Sequence, residues 1–507
     1  MNKVLLSLGY KKLLLLAINP RTYFILLIIF LPTQTGFHFW PSYTRIFGLR
    51  IDYLAPTIYL TDILMSFLIF CYLLKATSVI LRLLTGAETL SFIGTGKGRF
   101  LVNRINTLTA LFLLSTLALA LLNILSSGNW KISLYQWFRV GQLIFLGWYV
   151  YQNKESAIKI LKQILPYQLI FISLLAITQL IHQSSLNGIF WWLGERTFTI
   201  STPGIAKTNL CINHLFPYFW NLKFGICNLA LRPYATFSHP NSLAGYLLVS
   251  LVLIRSFFQE PLLAPPLAKR GKSPLFSKEG VRGSFSFLAI LFGTLALILT
   301  FSHTAWLAGL VVLIFYLGKH LGGVTQLKNT NKSDSSEVGP PRSRVFNFRY
   351  HKPTIAFCLF VFLSIALLFL SFSASQSFSF PASETITLRL QLFQTSWQLI
   401  QDHWLLGVGL GNFIPVAAKY LSAPTIALLQ PVHNIFWLIT SETGVFGLIF
   451  ILWFIKTKLL NHKYRQIPIT NYQLVLIVIL ITGSSDHYWL TLQQNRLLLT
   501  IIFGLIV

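Results

Sequence analysis

Residues 106–126 read NTLTALFLLSTLALALLNILS, a run with no charged side chain. A hydrocarbon core of about 30 Å is crossed by a helix of roughly 20 apolar residues, whose backbone N–H and C=O groups all bond within the segment. The run therefore predicts a membrane-spanning helix. Stretches of the same kind recur near 22–40, 57–74, 133–151, 164–183, 242–258, 284–301, 305–318, 353–372, 434–455, 471–484 and 496–507. Together they predict an all-α integral membrane protein with about 12 transmembrane helices. Composition agrees: of 507 residues, 54% are hydrophobic and only 10% charged, where a soluble protein carries roughly 25%.

A net charge of +27 would suggest nucleic-acid binding in a soluble chain, with basic residues gathered on one face. Their distribution says otherwise. With a cytoplasmic N-terminus, 29 of the 40 Lys and Arg fall in inside segments, which satisfies the positive-inside rule in one orientation only. Both termini are expected in the cytoplasm. The charge is then topological, and the expected partner is the lipid bilayer rather than nucleic acid. Met1 to Arg21 lacks a small-residue cleavage site after a short apolar run, so no removed signal peptide is expected. Two inside loops, about 259–283 and 319–352, are rich in Ser, Gly and Lys without apolar periodicity and are expected to be flexible.

The outside holds two long segments, about 184–241 and 373–433. They divide the chain into an N-terminal bundle, 1–241, and a core, 242–507. Loops carry function more often than spans do, and an outside cation runs against the charge bias. In the second segment Ile386, Leu390, Phe393, Trp397 and Ile400 recur at helical spacing. With Trp404 they suit a short helix in the membrane interface. Arg389 sits beside this stripe, placed for a lipid headgroup, though simple snorkelling explains it equally well. Gly407-Val408-Gly409-Leu410-Gly411-Asn412 follows no strand, so a dinucleotide loop is not expected; a flexible turn letting backbone approach a ligand is. Pro431-Val432-His433-Asn434 then opens a span. His433 stands at its outside mouth, as a candidate base or as a boundary histidine bonded to a neighbour. Glu442 lies deeper, where an ionisable group is a functional candidate by default. Gly444 and Gly447 suit close helix packing.

The first outside segment ends in Arg232-Pro233-Tyr234-Ala235-Thr236-Phe237-Ser238-His239-Pro240-Asn241. Asn241 and Ser242 can cap the helix that follows; Arg232 has no such structural role. Two further outside sites are the turn Ser302-His303-Thr304 and the stretch Ser484-Ser485-Asp486-His487-Tyr488-Trp489. There Asp486 could orient the His487 imidazole, and turn chemistry accounts for the pair as well. Of four cysteines, Cys71 and Cys358 read as small apolar residues in spans. Cys211 and Cys227 share the first outside loop, where an oxidising compartment permits a disulfide. No Cys or His cluster has metal-ligand spacing, so neither a metal nor another cofactor is expected.

The run Arg232 to Asn241, the stretch Leu299 to Trp306, Arg389 with the Gly407–Asn412 turn, and His433-Asn434 followed by Gly444 and Gly447 resemble the O-antigen ligase and polymerase superfamily. Asp486 to Gln494 is similar to the closing segment of ligase-like members. The resemblance implies a metal-independent, inverting glycosyltransferase of the inner membrane with a periplasmic active site. It implies transfer of a glycan from an undecaprenyl-pyrophosphate carrier to an acceptor hydroxyl, on the lipid A core or on another lipid-linked repeat unit. By motif position His433 is the catalytic residue, acting on the acceptor hydroxyl, while Arg232 and Arg389 hold the pyrophosphate. Asn434, His239, His303, Asp486 and His487 are candidate substrate contacts. One departure stands out: where members commonly show Ser-Arg, this chain has Ser302-His303.

The chemistry of these side chains fits. Without a divalent metal, a leaving pyrophosphate needs fixed cations, and Arg offers a planar fork that stays charged. A neutral imidazole suits the deprotonation of a hydroxyl. A polymerase fits the same residues. A solute transporter, of bicarbonate for example, would be expected to place ionisable groups near the midplane and to show internal repeats. Here the candidates collect at the outside mouth and no repeat is evident.

Overall fold

The computed structural model describes residues 19–84, 107–210, 228–259, 278–317, 382–421, 426–459 and 471–506. Cys211, Cys227, Cys358, the span at 353–372 and the inside loop at 319–352 lie outside the described residues. What is described is mostly helical, with three two-stranded antiparallel ribbons that the all-α expectation did not contain: Gly36–His38 with Thr57–Tyr59, Arg45–Ile46 with Leu49–Arg50, and Lys207–Leu210 with Asn228–Leu231. Among the described residues, Lys154–His182, Pro240–Phe257 and Ile435–Trp453 are long and apolar enough to cross a membrane. Shorter apolar helices cover Pro20–Phe30, Leu114–Leu125, Phe285–Leu299, His303–Leu317 and Gln473–Gly483.

Several boundaries differ from the sequence expectation. The span expected at 22–40 is helical only over Pro20–Phe30. Pro32 lacks the N–H that would continue it, and the chain turns into the Gly36–His38 strand. Lys154, Lys159 and Lys162, expected in a loop, lie inside the helix Lys154–His182, which continues through Pro166. Residues 278–283, expected at the end of a flexible loop, begin the helix Lys278–Leu299. Cys71 is buried, as its apolar setting suggested.

The chain forms two compact units, each discontinuous in sequence. One comprises Met1–Leu161, Leu388–Asn461 and Arg496–Val507. Here Pro20–Phe30 packs on Leu60–Leu84, with Tyr23 stacked on Phe67 at 5.3 Å. Arg139 makes a buried two-pronged bridge to Asp62 at 2.8 and 3.2 Å and bonds the Tyr135 hydroxyl and the Thr57 carbonyl. Asn123 is the hub of the unit. Its amide nitrogen donates to the carbonyls of Leu406 and Glu442, and its oxygen accepts from the Trp137 indole and the Leu410 amide.

That hub holds the glycine turn against a break in the helix Ile435–Leu459, where Gly444 takes φ 67°, ψ −169°. Gly407, Gly409 and Gly411 all have positive φ, a region open to glycine at little cost. The amides of Val408 and Gly409 bond the carbonyls of Ser441 and Glu442 at 2.9 and 3.0 Å. The turn is therefore locked, and what its glycines admit is the protein's own backbone. A Cβ on Gly407 would lie 2.5 Å from the Thr443 amide nitrogen, and one on Gly444 would strike the Leu405 carbonyl. Gly407→Ala and Gly444→Ala should each destabilise the fold by at least about 2 kcal/mol. Gly141→Ala, in a helix with nothing within 4 Å, should be neutral or stabilising. Thermal unfolding in detergent checks all three.

The other unit comprises Lys162–Thr387 and His462–Asn495. The helix Pro240–Gln259 packs against Lys278–Leu299 and Asn471–Gly483, with Phe237, Tyr246, Tyr488 and Trp489 fully buried around it. Gly245 allows the Tyr488 ring onto that helix: a Cβ there would lie 2.5 Å from its hydroxyl oxygen.

Candidate functional site

Arg232 follows the strand Asn228–Leu231 and is half-buried. Its Nε donates to the Thr300 carbonyl at 2.7 Å and its Nη2 to Asn241 Oδ1 at 2.8 Å. The Asn241 amide donates in turn to Asp486 Oδ2 at 2.9 Å. Asp486 Oδ1 accepts the His487 backbone N–H at 2.8 Å, and the His487 ring reaches it with Nε2 at 3.9 Å. His487 Nδ1 bonds the Thr491 hydroxyl at 2.8 Å. A guanidinium, an amide, a carboxylate and an imidazole thus form one line, assembled from two separated pieces of chain, 232–241 and 486–487. Asn241 does not cap its helix; both ends of its amide are engaged by Arg232 and Asp486. Ser242 bonds Asn495 instead.

The loop carrying Arg232 is fixed by groups that carried no signal of their own. Gln179, near the C-terminal end of the apolar helix Lys154–His182, accepts the Tyr234 and Ala235 amides at 3.0 and 2.7 Å and donates to the Ala235 carbonyl. Glu195 accepts the Gln179 amide at 2.6 Å and caps the amides of Leu186 and Asn187. Burial holds the Tyr234 phenol above its usual pKa, so at neutral pH the ring is a neutral anchor whose oxygen accepts the Ala206 amide. His239 accepts the Asn241 backbone N–H on Nδ1 at 3.1 Å. His303 opens the helix His303–Leu317 and stands edge-on to Trp306. Desolvation, and then the Arg232 charge, push its pKa down. At neutral pH this histidine is uncharged and does not supply the cation that an arginine would.

The second group lies in the other unit. Helix Ala382–Asp402 buries Leu392, Ser396 and Leu399 and leaves the Leu390, Phe393 and Trp397 stripe exposed. It meets the helix Ile435–Leu459 locally: Phe393 meets Trp437 with ring centroids 4.2 Å apart, Ser396 bonds Ser441 at 2.7 Å, and beyond the helix end the Trp404 carbonyl takes the Val445 amide. Partners rise together along both chains, so the two helices run parallel. Arg389 is one turn before Phe393 and His433 one turn before Trp437, which puts both at the same end of the pair. Arg389 is exposed and His433 half-buried. Asn434 caps the helix, its side-chain oxygen accepting the Phe436 and Trp437 amides at 2.9 and 3.1 Å, a structural role that sequence motif alone did not separate from substrate contact. The Glu442 carboxyl accepts the Phe413 amide at 3.4 Å, beside the glycine turn; it too holds the fold.

Residues 288–452 match the O-antigen ligase family. The segment matched includes His303, Arg389, the glycine turn, His433, Asn434 and Glu442. Arg232, His239, Asp486 and His487 lie outside it. The match supports glycan transfer of the ligase and polymerase kind in a membrane setting. No curated protein matches the chain.

Proposed function

We propose that the protein transfers a glycan from an undecaprenyl-pyrophosphate carrier to an acceptor hydroxyl, on a lipid A core sugar or a similar glycolipid, at the periplasmic face of the inner membrane. The observation that carries this reading is the O-antigen ligase match over 288–452, within which Arg389 and His433 come to the same end of two parallel helices. In the proposed reaction His433 takes the proton of the acceptor hydroxyl. The oxygen then attacks the anomeric carbon as its bond to the pyrophosphate breaks, inverting the centre. Arg232 and Arg389 are the cations assigned to the leaving undecaprenyl pyrophosphate, so no divalent metal is required. Arg232 is suited to this because its fork is already fixed by the Thr300 carbonyl and Asn241, which removes the entropy of ordering it. Joining of lipid-linked repeat units uses the same atoms with a different acceptor, and product analysis separates the two.

The topology is tested independently. Ser201 is exposed on the segment expected outside. A cysteine there should react with a membrane-impermeant maleimide in intact cells, and one at Ser273 only after lysis. The reverse pattern would invert the orientation and remove the periplasmic site.

A further inference from the structure

The Arg139 guanidinium is neutralised by Asp62. Arg496, close enough to interact electrostatically with Arg139, Asp62, Tyr59, Tyr135 and Glu442, makes no direct ion pair among the described residues. It lies in the first turn of the helix Gln493–Ile506, and its side chain makes one hydrogen bond among the described residues, Nη1 to Gln136 Oε1 at 3.3 Å. A guanidinium has five N–H donors, and an unpaired cation in an apolar bundle is costly. The two nearby acids act on it only through space: Asp62 is bridged by both arms of Arg139, and Glu442 accepts the Phe413 amide. Gln136 is pressed into place by the glycine turn, since a Cβ on Gly411 would lie 2.7 Å from its Cγ. One turn earlier on the same helix face, Ser133 takes the Asn412 amide at 2.8 Å. A held glutamine and a partly exposed arginine with no direct counter-ion among the described residues thus stand side by side.

We propose that Arg496 and Gln136 form an anion site that takes a phosphate group carried on a lipid, separate from the pyrophosphate cations Arg232 and Arg389. The inference does not rest on glycan transfer, because binding is measured without turnover. The full chain in detergent, in an Arg232→Gln, Arg389→Gln background, is titrated by microscale thermophoresis with farnesyl diphosphate, phosphatidylglycerol, phosphatidylcholine and inorganic pyrophosphate. Binding of farnesyl diphosphate or phosphatidylglycerol should weaken at least 10-fold in Arg496→Gln. It should weaken as much in Gln136→Glu, which supplies an internal carboxylate to Arg496 and should raise the melting temperature. Arg496→Lys should retain part of the affinity. Preference for farnesyl diphosphate assigns the site to a prenyl carrier, preference for phosphatidylglycerol to a membrane headgroup. Unchanged affinity for every probe in both Arg496→Gln and Gln136→Glu overturns the site, and pyrophosphate binding as tightly as the lipids overturns its assignment to a lipid.

Discussion

Protein carrying His433→Ala is expected to reach the membrane in normal amount and to transfer no measurable glycan. Loss of a positioned general base lowers rates by about 10²–10⁴-fold, and the acceptor hydroxyl has no other assigned base. The substitution should leave the fold intact. His433 precedes the helix whose cap is made by Asn434, and it is half-buried rather than core. A melting temperature close to wild type together with lost transfer is the expected pair of results. Retained transfer would remove His433 as the base and leave it a boundary histidine.

Arg232→Lys should be the next most damaging change, lowering transfer by roughly 10–100-fold while keeping the positive charge. The guanidinium spans two acceptors at once, the Thr300 carbonyl and Asn241 Oδ1; an ammonium is a point charge that cannot reproduce that fork. A hydrogen bond from a charged group is worth about 1.5–3 kcal/mol, and losing one such bond gives the stated range. The damage should extend along the line, because Asn241 loses what orients its amide toward Asp486. Transfer assays on membranes adjusted to equal protein level provide the test. Full activity in Arg232→Lys and in Arg389→Lys would leave both arginines as interfacial anchors only.

The motif residues came from the resemblance, and the apolar helices were legible because they rest on a local signal, long uncharged runs. The ribbons were not. The strand Gly36–His38 finds its partner some twenty residues later in Thr57–Tyr59, and nothing within either trio marks it. The glycine turn was correctly located and wrongly read, since local sequence shows that backbone must come close but not what comes close. Here it is the kinked helix near Glu442 and Gly444. Asn123 and Gln179 were passed over because a lone amide inside an apolar run looks like a tolerated impurity, whereas each satisfies several backbone groups far away in sequence. Such residues are signalled by burial and bonding, not by spacing. Asp486 was noticed for its neighbour His487, but its link to Arg232 through Asn241 joins positions more than two hundred residues apart.

The central claim is that the protein moves a lipid-linked glycan onto an acceptor. The most direct measurement compares a deletion strain with its parent for three quantities: undecaprenyl-pyrophosphate-linked glycan, acceptor-linked glycan and glycan chain length. The account predicts full-length glycan accumulating on the carrier and missing from the acceptor, with restoration by the wild-type gene and not by His433→Ala. Carrier-linked single repeats would indicate polymerisation in place of ligation, and unchanged levels of all three would contradict glycan transfer itself.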